Sequence, residues 1–277
     1  MDNSEKTPVV SVVMPAFNAE RFVAQSIESI LNQSFVDLEL ILIDDCSSDQ
    51  TLKILKRYEA LDTRVRVFAN PATLGIAGNR NYGLGLARGK YLAWQDADDI
   101  SKSYRMALQY DFLESHPQVG IVGGAINIFS DAGEIGVRRY PAGDEELRKC
   151  IYKFSPVAQP AAMVRMSALH HVGTYNLAYP PAEDLDMTFR IGEHYLLANL
   201  ADVLIDYRVS AANATSKSQR TMEINTLKIR MKYAQSSSYG MSLGDWLFNA
   251  AHFVSLWIVP AKLKVWLFSR WRNSKQI

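Results

Sequence analysis

Leu38-Glu39-Leu40-Ile41-Leu42-Ile43 runs directly into Asp44-Asp45-Cys46-Ser47-Ser48-Asp49. A short, near-continuous apolar run fits a strand buried on both faces of a parallel sheet, and the abrupt change to acidic and hydroxyl side chains marks its carboxyl end. The pattern recurs on both sides. Val9–Met14 is a second such run, closed by Pro15. After it, Ala19–Leu31 places Phe22, Val23, Ile27, Ile30 and Leu31 on one helical face, with Asn18 positioned to cap it. Downstream, Thr51–Tyr58 reads as helix, Val65–Ala69 as strand, Ile76–Ala87 as helix, and Tyr91–Trp94 as a strand ending at Gln95-Asp96-Ala97-Asp98-Asp99. The first hundred residues are therefore βαβαβαβ with short links. That order predicts an α/β fold with a mostly parallel central sheet and helices on both faces.

Beyond the helix of Tyr104–Ser115 the alternation loosens. Val119–Phe129 and Val203–Arg208 are strand-like, while Glu145–Tyr152, Glu183–Tyr195 and Lys217–Ser236 are helix-like. Ser and Gly cluster over Ser236–Gly244, which reads as a linker between a main domain, 1–236, and a C-terminal helical appendage, 237–277.

Composition narrows the classes. The 277 residues carry 30 basic and 29 acidic side chains, a formal net charge of +1, with 48% hydrophobic and 21% charged residues. This balance argues against disorder and against a nucleic-acid partner. Two cysteines, Cys46 and Cys150, are too few for a disulfide scaffold, and Met1–Pro8 has no apolar core of the signal-peptide kind, so a cytoplasmic location is expected. The C-terminal part differs in character. Trp246–Val259 is mostly apolar, too short to span a bilayer, and carries Asn249, His252 and Ser255 as a narrow polar stripe. After Pro260 come Lys262, Lys264, Arg270, Arg272 and Lys275 among Trp and Phe. Gly244–Ile277 thus holds five basic residues against Asp245 alone, while the rest of the chain is net negative. Basic residues mixed with tryptophan suit a peripheral helix in the headgroup region of an anionic membrane, here over 246–272. The alternative is a helix pair docked on the catalytic core or on a second subunit of a homo-oligomer.

In an open parallel sheet, ligands bind beyond the carboxyl ends of the strands. Asp44/Asp45 and Asp96/Asp98/Asp99 fall at two such ends. Carboxylates this close repel unless a cation or hydrogen-bond donors lie among them, and hard oxygen ligands suit Mg²⁺ or Mn²⁺ shared with substrate phosphates. A dinucleotide site is excluded, because Pro15-Ala16-Phe17-Asn18 after the first strand has no glycine fingerprint. No Walker-type phosphate loop occurs either.

Val10-Ser11-Val12-Val13-Met14-Pro15-Ala16-Phe17-Asn18, Asp44-Asp45-Cys46-Ser47-Ser48-Asp49 and the Asp-x-Asp stretch Asp96-Ala97-Asp98-Asp99, in this order and spacing, closely resemble the family 2 glycosyltransferases. Gly75–Gly85, with Asn79-Arg80-Asn81, is similar to the family's segment between the acidic clusters. Pro180-Pro181-Ala182-Glu183-Asp184-Leu185-Asp186 is similar to its Glu-Asp motif opening a helix. The resemblance covers about 8–216 and implies a GT-A fold, with a nucleotide-sugar half over about 8–100 and an acceptor half over about 101–216. It also implies an inverting transfer from a nucleotide sugar, a UDP-sugar in our reading, to a glycan or lipid-linked saccharide in bacterial surface polysaccharide synthesis. Pro15, Ala16, Phe17 and Asn18 would line the base slot, and Asp45 would accept a hydrogen bond from the base. Asp96 would face the ribose and the metal, and Asp98 would hold the metal with Asp99 beside it. Asp184 would be the general base, and Glu183 and Asp186 are further candidates on the acceptor side. Arg80 is either a cation near the diphosphate or a surface helix charge. Departures from the family pattern point the same way: no Gln-x-x-Arg-Trp motif follows the base, so one sugar per encounter is expected. Ser210 stands where some relatives have a histidine metal ligand. Two alternatives remain. A sugar nucleotidyltransferase would need a Gly- and Lys/Arg-rich loop after the first strand, which is missing; a non-catalytic nucleotide-sugar or glycan binder would not need the intact Asp98 and Asp184.

Overall fold

The computed structural model describes residues 7–209 and 218–259. Its first half follows the expected alternation: β1 (Val10–Ala16), α1 (Val23–Leu31), β2 (Leu38–Asp44), α2 (Thr51–Leu61), β3 (Val65–Ala69), α3 (Gly75–Leu86) and β4 (Tyr91–Trp94). The chain continues through β5 (Ile100–Ser101), α4 (Arg105–Ser115), β6 (Val119–Ser130), β7 (Gly133–Arg138), α5 (Asp144–Cys150), β8 (Met163–Arg165), α6 (Met166–Val172), α7 (Glu183–Gly192), β9 (Leu196–Arg208), α8 (Gln219–Tyr233) and α9 (Leu243–Ile258). Among the described residues one sheet runs in the order β3-β2-β1-β4-β8-β6-β9-β5, with β7 paired to β6. The pairs β2–β3, β1–β2, β1–β4 and β6–β9 are parallel.

Period-2 alternation divides the strands between two cores. Val10, Val12 and Met14 of β1, with Leu38, Leu40 and Leu42 of β2, pack against α1 and α2. Val13, Ile41, Ile43, Leu92 and Trp94 face the opposite side, toward α3, α6 and α7. Glu39, the polar interruption of the β2 run, is buried but satisfied: Ser11 Oγ (2.6 Å), Arg66 (2.7 Å) and Arg88 Nε (3.1 Å) all donate to its carboxylate. Burial pushes the Glu39 carboxyl up, and these donors together hold it below the ordinary value. On the second face Gly83 lets α3 lie close to β1, since a Cβ there would stand 2.3 Å from Val13 Cγ1.

Several element boundaries differ from the sequence reading. Helix α1 begins at Val23, not at Ala19, because Asn18 does not cap it. Asn18 has φ 48°, and its Oδ1 accepts from the Ser48 N–H (2.9 Å), tying the loop after β1 to the loop after β2. Strand β9 is longer than Val203–Arg208, pairing with nearly the whole of β6. The Ser236–Gly244 stretch is not a loose connector. Tyr239 donates its hydroxyl to Phe189 O (2.8 Å) and lies edge-on to the Phe189 ring (4.8 Å), under the Arg148 guanidinium (5.0 Å).

Candidate active site

The chain leaves β1 toward β2 and β3 on one side and returns to β4 on the other, so the strand order reverses between β1 and β4. A crevice forms at such a switch point, outside the carboxyl ends of the strands. The register places Ala16 beside Asp44 and Val13 beside Trp94. Pro15, Ala16, Phe17, Asp44, Asp45 and Asp96 therefore gather at one edge of the sheet. Phe17 stands 55% exposed there, an aromatic face open to solvent.

Asp45 is held in place by the start of α3. Its carboxylate accepts from Leu74 N (2.7 Å), Asn70 Nδ2 (2.9 Å) and Gly75 N (3.1 Å). Gly75 adopts φ 71°, a conformation that favours glycine, and so turns its N–H toward the carboxylate. Burial pushes Asp45 up, but these donors outweigh it and hold the carboxyl below its ordinary value, ionised at neutral pH. Its neighbour Asp44 keeps a buried Oδ1 with no hydrogen-bond partner.

The second acidic cluster rests on two buried arginines that the sequence did not single out. Arg105 of α4 is fully buried, donating to Trp94 O (2.8 Å), Gln95 Oε1 (3.0 Å), Ser101 Oγ (2.9 Å) and Gln109 Oε1 (3.0 Å). It fixes the end of β4 from behind; burial lowers its pKa to about 9, against the pull of Asp99 and Asp96. Arg208, at the end of β9, lies between the rings of Phe22 (4.2 Å) and Phe129 (4.4 Å). Its Nε donates to Asp98 O (3.0 Å) and its backbone N–H to Asp99 Oδ1 (2.8 Å). Asp99 is thus a buried buttress under the loop, whereas Asp96 and Asp98 retain partial exposure. Burial and the Asp96 charge raise Asp98 to about 6, and burial followed by the charges of Asp96 and Asp98 raises Asp99 well above the carboxylate range.

Helix α7 brings the third group of carboxylates. Glu183 is fully buried and ion-paired with Arg80 of α3, which is itself 5% exposed. Arg80 is therefore not a surface charge. Its guanidinium lies 5.7 Å from the Trp94 ring and 5.8 Å from that of Tyr175, and its charge acts on Asp96 and Asp184 as well as Glu183. Asp184 is partly exposed; burial holds its carboxyl above the ordinary value, with Arg80 opposing. The Asp184 charge adds to burial in raising Asp96, against the pull of Arg80, and Arg80 also opposes burial at Asp184, so two carboxylates 88 positions apart in sequence share one electrostatic environment around Arg80. Tyr175 is positioned by a reciprocal pair with Asn81: Asn81 Nδ2 donates to Tyr175 O (2.9 Å) and Tyr175 N to Asn81 Oδ1 (2.7 Å).

Asp186 is excluded from this group. It points to the other side of α7, fully buried, and accepts from Arg190 (2.9 Å), Lys232 (2.9 Å) and the Tyr233 hydroxyl (3.2 Å). Its work is to join α7 to α8, so the acceptor-side role expected for it is corrected. Among the histidines, His116 Nδ1 bonds Phe112 O, and His171 packs on His194. Ser210 and the tail segment 260–272 lie outside the described residues.

Among the described residues no three His, Cys, Asp or Glu side chains form a protein-only metal cage. Two hard carboxylates, Asp96 and Asp98, both raised by burial, Asp98 also by the Asp96 charge and Asp96 by that of Asp184, fit a divalent cation that takes its other ligands from substrate phosphates and water.

Comparison with known proteins agrees with this geometry. The chain is 32% identical over 273 residues to "Putative glycosyltransferase EpsE" of Bacillus subtilis, covering 97% of this chain and 96% of that one. It is 38% identical over 105 residues to the "UDP-Glc:alpha-D-GlcNAc-diphosphoundecaprenol beta-1,3-glucosyltransferase WfgD" of Escherichia coli, covering 38% and 41% of the two chains. Its fold matches that of the mannosyltransferase PcManGT of Pyrobaculum calidifontis, solved with GDP-Man and Mn²⁺, at TM-score 0.65 and 18% identity over 91% of this chain and 70% of that one. The family model for glycosyl transferase family 2 matches residues 11–173, and with the strand-end aspartates gathered at the switch point of a GT-A sheet, the chain is a member of that family.

Proposed function

We propose that the protein moves one sugar from a nucleotide sugar, in our reading a UDP-sugar, to a hydroxyl of a glycan or lipid-linked saccharide, with inversion at the anomeric carbon. The observation that carries this reading is the buried Arg80, ion-paired with Glu183 of α7, whose charge acts on both Asp96 after β4 and Asp184 of α7. The Escherichia coli relative's UDP-Glc donor and diphosphoundecaprenol acceptor support the choice of donor and acceptor class.

Phe17 offers its face to the base, with Pro15, Ala16 and Asn18 forming the slot and Asp45 accepting a base N–H. Asp96 faces the ribose side. A divalent cation, Mg²⁺ or Mn²⁺, held by Asp98 and Asp96 would neutralise charge on the departing nucleoside diphosphate. Asp184 accepts the proton of the acceptor hydroxyl as its oxygen bonds to the anomeric carbon and the bond from that carbon to the diphosphate oxygen breaks. A base and a leaving group on opposite faces of the sugar give inversion in one displacement. Arg80 opposes the effect of burial on Asp184 and so favours its carboxylate form, and Glu183 holds Arg80. A lipid-linked acceptor would call for an enzyme working at the inner face of the cell membrane; among the described residues no helix is long and apolar enough to cross it.

The test is nucleoside diphosphate release from a panel of nucleotide sugars with Mn²⁺, comparing wild type with Asp184→Asn. Loss of a general base costs about 10²–10⁴-fold in turnover. Equal turnover in the two proteins, or pyrophosphate as the product, refutes the reading.

A further inference from the structure

Helix α9 is built inside out. A surface helix ordinarily buries its apolar stripe and exposes its polar one. Here the docked stripe is polar: Asp245 and Asn249 are the buried residues, and His252 continues the line beside Glu223 at 3.8 Å. Asn249 Nδ2 donates to Tyr152 O (3.0 Å) and Asn249 Oδ1 accepts from Arg230 (3.2 Å), so the stripe is pinned to the catalytic body by directional bonds. The outward face holds Leu243, Trp246, Leu247, Phe253, Val254, Trp257 and Ile258, from 44% to 77% exposed. Elsewhere exposed large apolar residues such as Val36 and Leu61 stand scattered; here they are contiguous, and a contiguous patch marks a contact site.

The charge around this face selects the occupant. Asp245 is the only acidic residue of α9, and it lies in the docked stripe. Arg220 sits at the rim, its guanidinium 4.8 Å over the Trp257 ring. In sequence alone, 260–277 holds five basic side chains and no acidic one. A two-fold pairing of copies would bring the same cationic rim against itself. An anionic bilayer instead offers hydrocarbon to the apolar face and negative headgroups to the rim. The helix has 16 residues, about 24 Å at 1.5 Å per residue, short of the ~30 Å hydrocarbon core, so it lies along the surface.

We propose that the outward face of α9 seats the enzyme on an anionic lipid bilayer, and that the polar stripe fixes the attitude of the catalytic body above it. From α9 the connection runs to α8 through Arg230, and from α8 to the segment preceding Asp184, where Asn225 Nδ2 donates to Pro180 O (2.9 Å). A helix bound to lipid is thereby tied to the helix that carries the base, and the acceptor it serves is one resident in the same bilayer. The acceptor part rests on the reading given above; the lipid contact does not.

The experiment is co-sedimentation of the full chain with vesicles of phosphatidylcholine containing phosphatidylglycerol, and with phosphatidylcholine alone. Wild type is expected to partition onto the anionic vesicles and to dissociate in high salt. Leu247→Glu/Val254→Glu is expected to lose at least about tenfold in partitioning, since burial of one large apolar side chain already exceeds that factor. Its unfolding midpoint should stay unchanged, because both side chains already face solvent. Val36→Glu/Leu61→Glu, on exposed sites away from α9, should bind as wild type does. Undiminished binding by the α9 variant overturns the proposal. So does a concentration-dependent wild-type dimer that the variant loses without any vesicle binding, which would make a second copy the occupant. A fall in the variant's unfolding midpoint also overturns it, by showing the face to be covered within the chain. No donor or acceptor enters this measurement, so failed sugar transfer with intact vesicle binding counts against the catalytic reading alone.

Discussion

Arg80→Met tests whether the framework under the base is electrostatic. Glu183 is 0% exposed, Arg80 is its ion-pair partner, and Glu183 Oε2 has no hydrogen-bond partner of its own. Removing the guanidinium leaves a buried, uncompensated carboxylate. Breaking one side of a buried pair costs about 3–5 kcal/mol. At about 2–4 °C per kcal/mol for a chain of this size, the melting temperature should fall by roughly 10 °C. The pH dependence has a definite sign. Burial already raises Glu183, and Arg80 is the first force opposing it, so in the variant the folded carboxyl binds a proton more tightly than the unfolded one. A group whose folded pKa is raised contributes stability that is present at low pH and lost as pH rises through the folded value. The deficit of Arg80→Met should therefore shrink as pH falls from about 8 toward the unfolded glutamate value near 4.3. Arg80→Met/Glu183→Leu removes both charges and should recover more than half of the loss, while turnover stays low because Asp184 has lost its neighbouring cation. Thermal and urea unfolding followed by circular dichroism read all three proteins. A double variant no more stable than Arg80→Met, or a deficit indifferent to pH, would refute the reasoning.

Two further outcomes follow from packing. Gly83→Ala places a Cβ 2.3 Å from Val13 Cγ1, so α3 must move off β1; overpacking of this kind costs about 1–3 kcal/mol, seen as a lower urea midpoint, and nucleotide affinity should fall with it because β1 carries the Phe17 slot. Asn249→Ala strands Tyr152 O and removes a partner of Arg230, a loss of about 1–3 kcal/mol confined to the α9 contact; chymotrypsin cleavage at Trp246 and Phe253 should accelerate while the circular dichroism of the sheet domain is retained.

The doubly wound half was legible because strands buried on both faces admit a polar residue only where partners satisfy it, as at Ser11 and Glu39, so β1, β2 and β4 stand out as near-continuous apolar runs with aspartates where the sheet ends. The later strands were less legible. β8 is three residues long and is a strand because β4 and β6 flank it, and β7 reads Gly-Glu-Ile-Gly-Val-Arg with neither face buried and pairs with β6. The candidate site divides in the same way. Asp44, Asp45, Asp96, Asp98 and Asp184 announce themselves as acids at element ends. Arg80 stands between two readings in the sequence, because its partner Glu183 lies 103 positions away, and only the fold decides whether such a helix arginine is solvated or buried. Arg105 sits in a stretch that reads as an ordinary exposed helix start, yet it is the cation behind the acidic loop.

Helix α9 shows where pattern reading stops for a physical reason. Periodicity reveals that Asn249, His252 and Ser255 share a stripe, but a stripe has no intrinsic direction. Burial of polar side chains is unfavourable unless each finds a partner, so the default places such a stripe in water. What reverses it is a set of groups supplied from elsewhere in the fold: the Tyr152 carbonyl after α5, Arg230 of α8, and Lys153 at 3.5 Å from Asp245. With those partners the polar stripe docks without an unsatisfied-group penalty at Asn249, and the apolar side chains are left outside. Their exposure in water is unfavourable by an amount that a contacting surface can return. The bilayer proposed above would return it with no change of fold, which is why the orientation of Asn249, and not the hydrophobicity of the helix, is the strongest structural argument for that proposal.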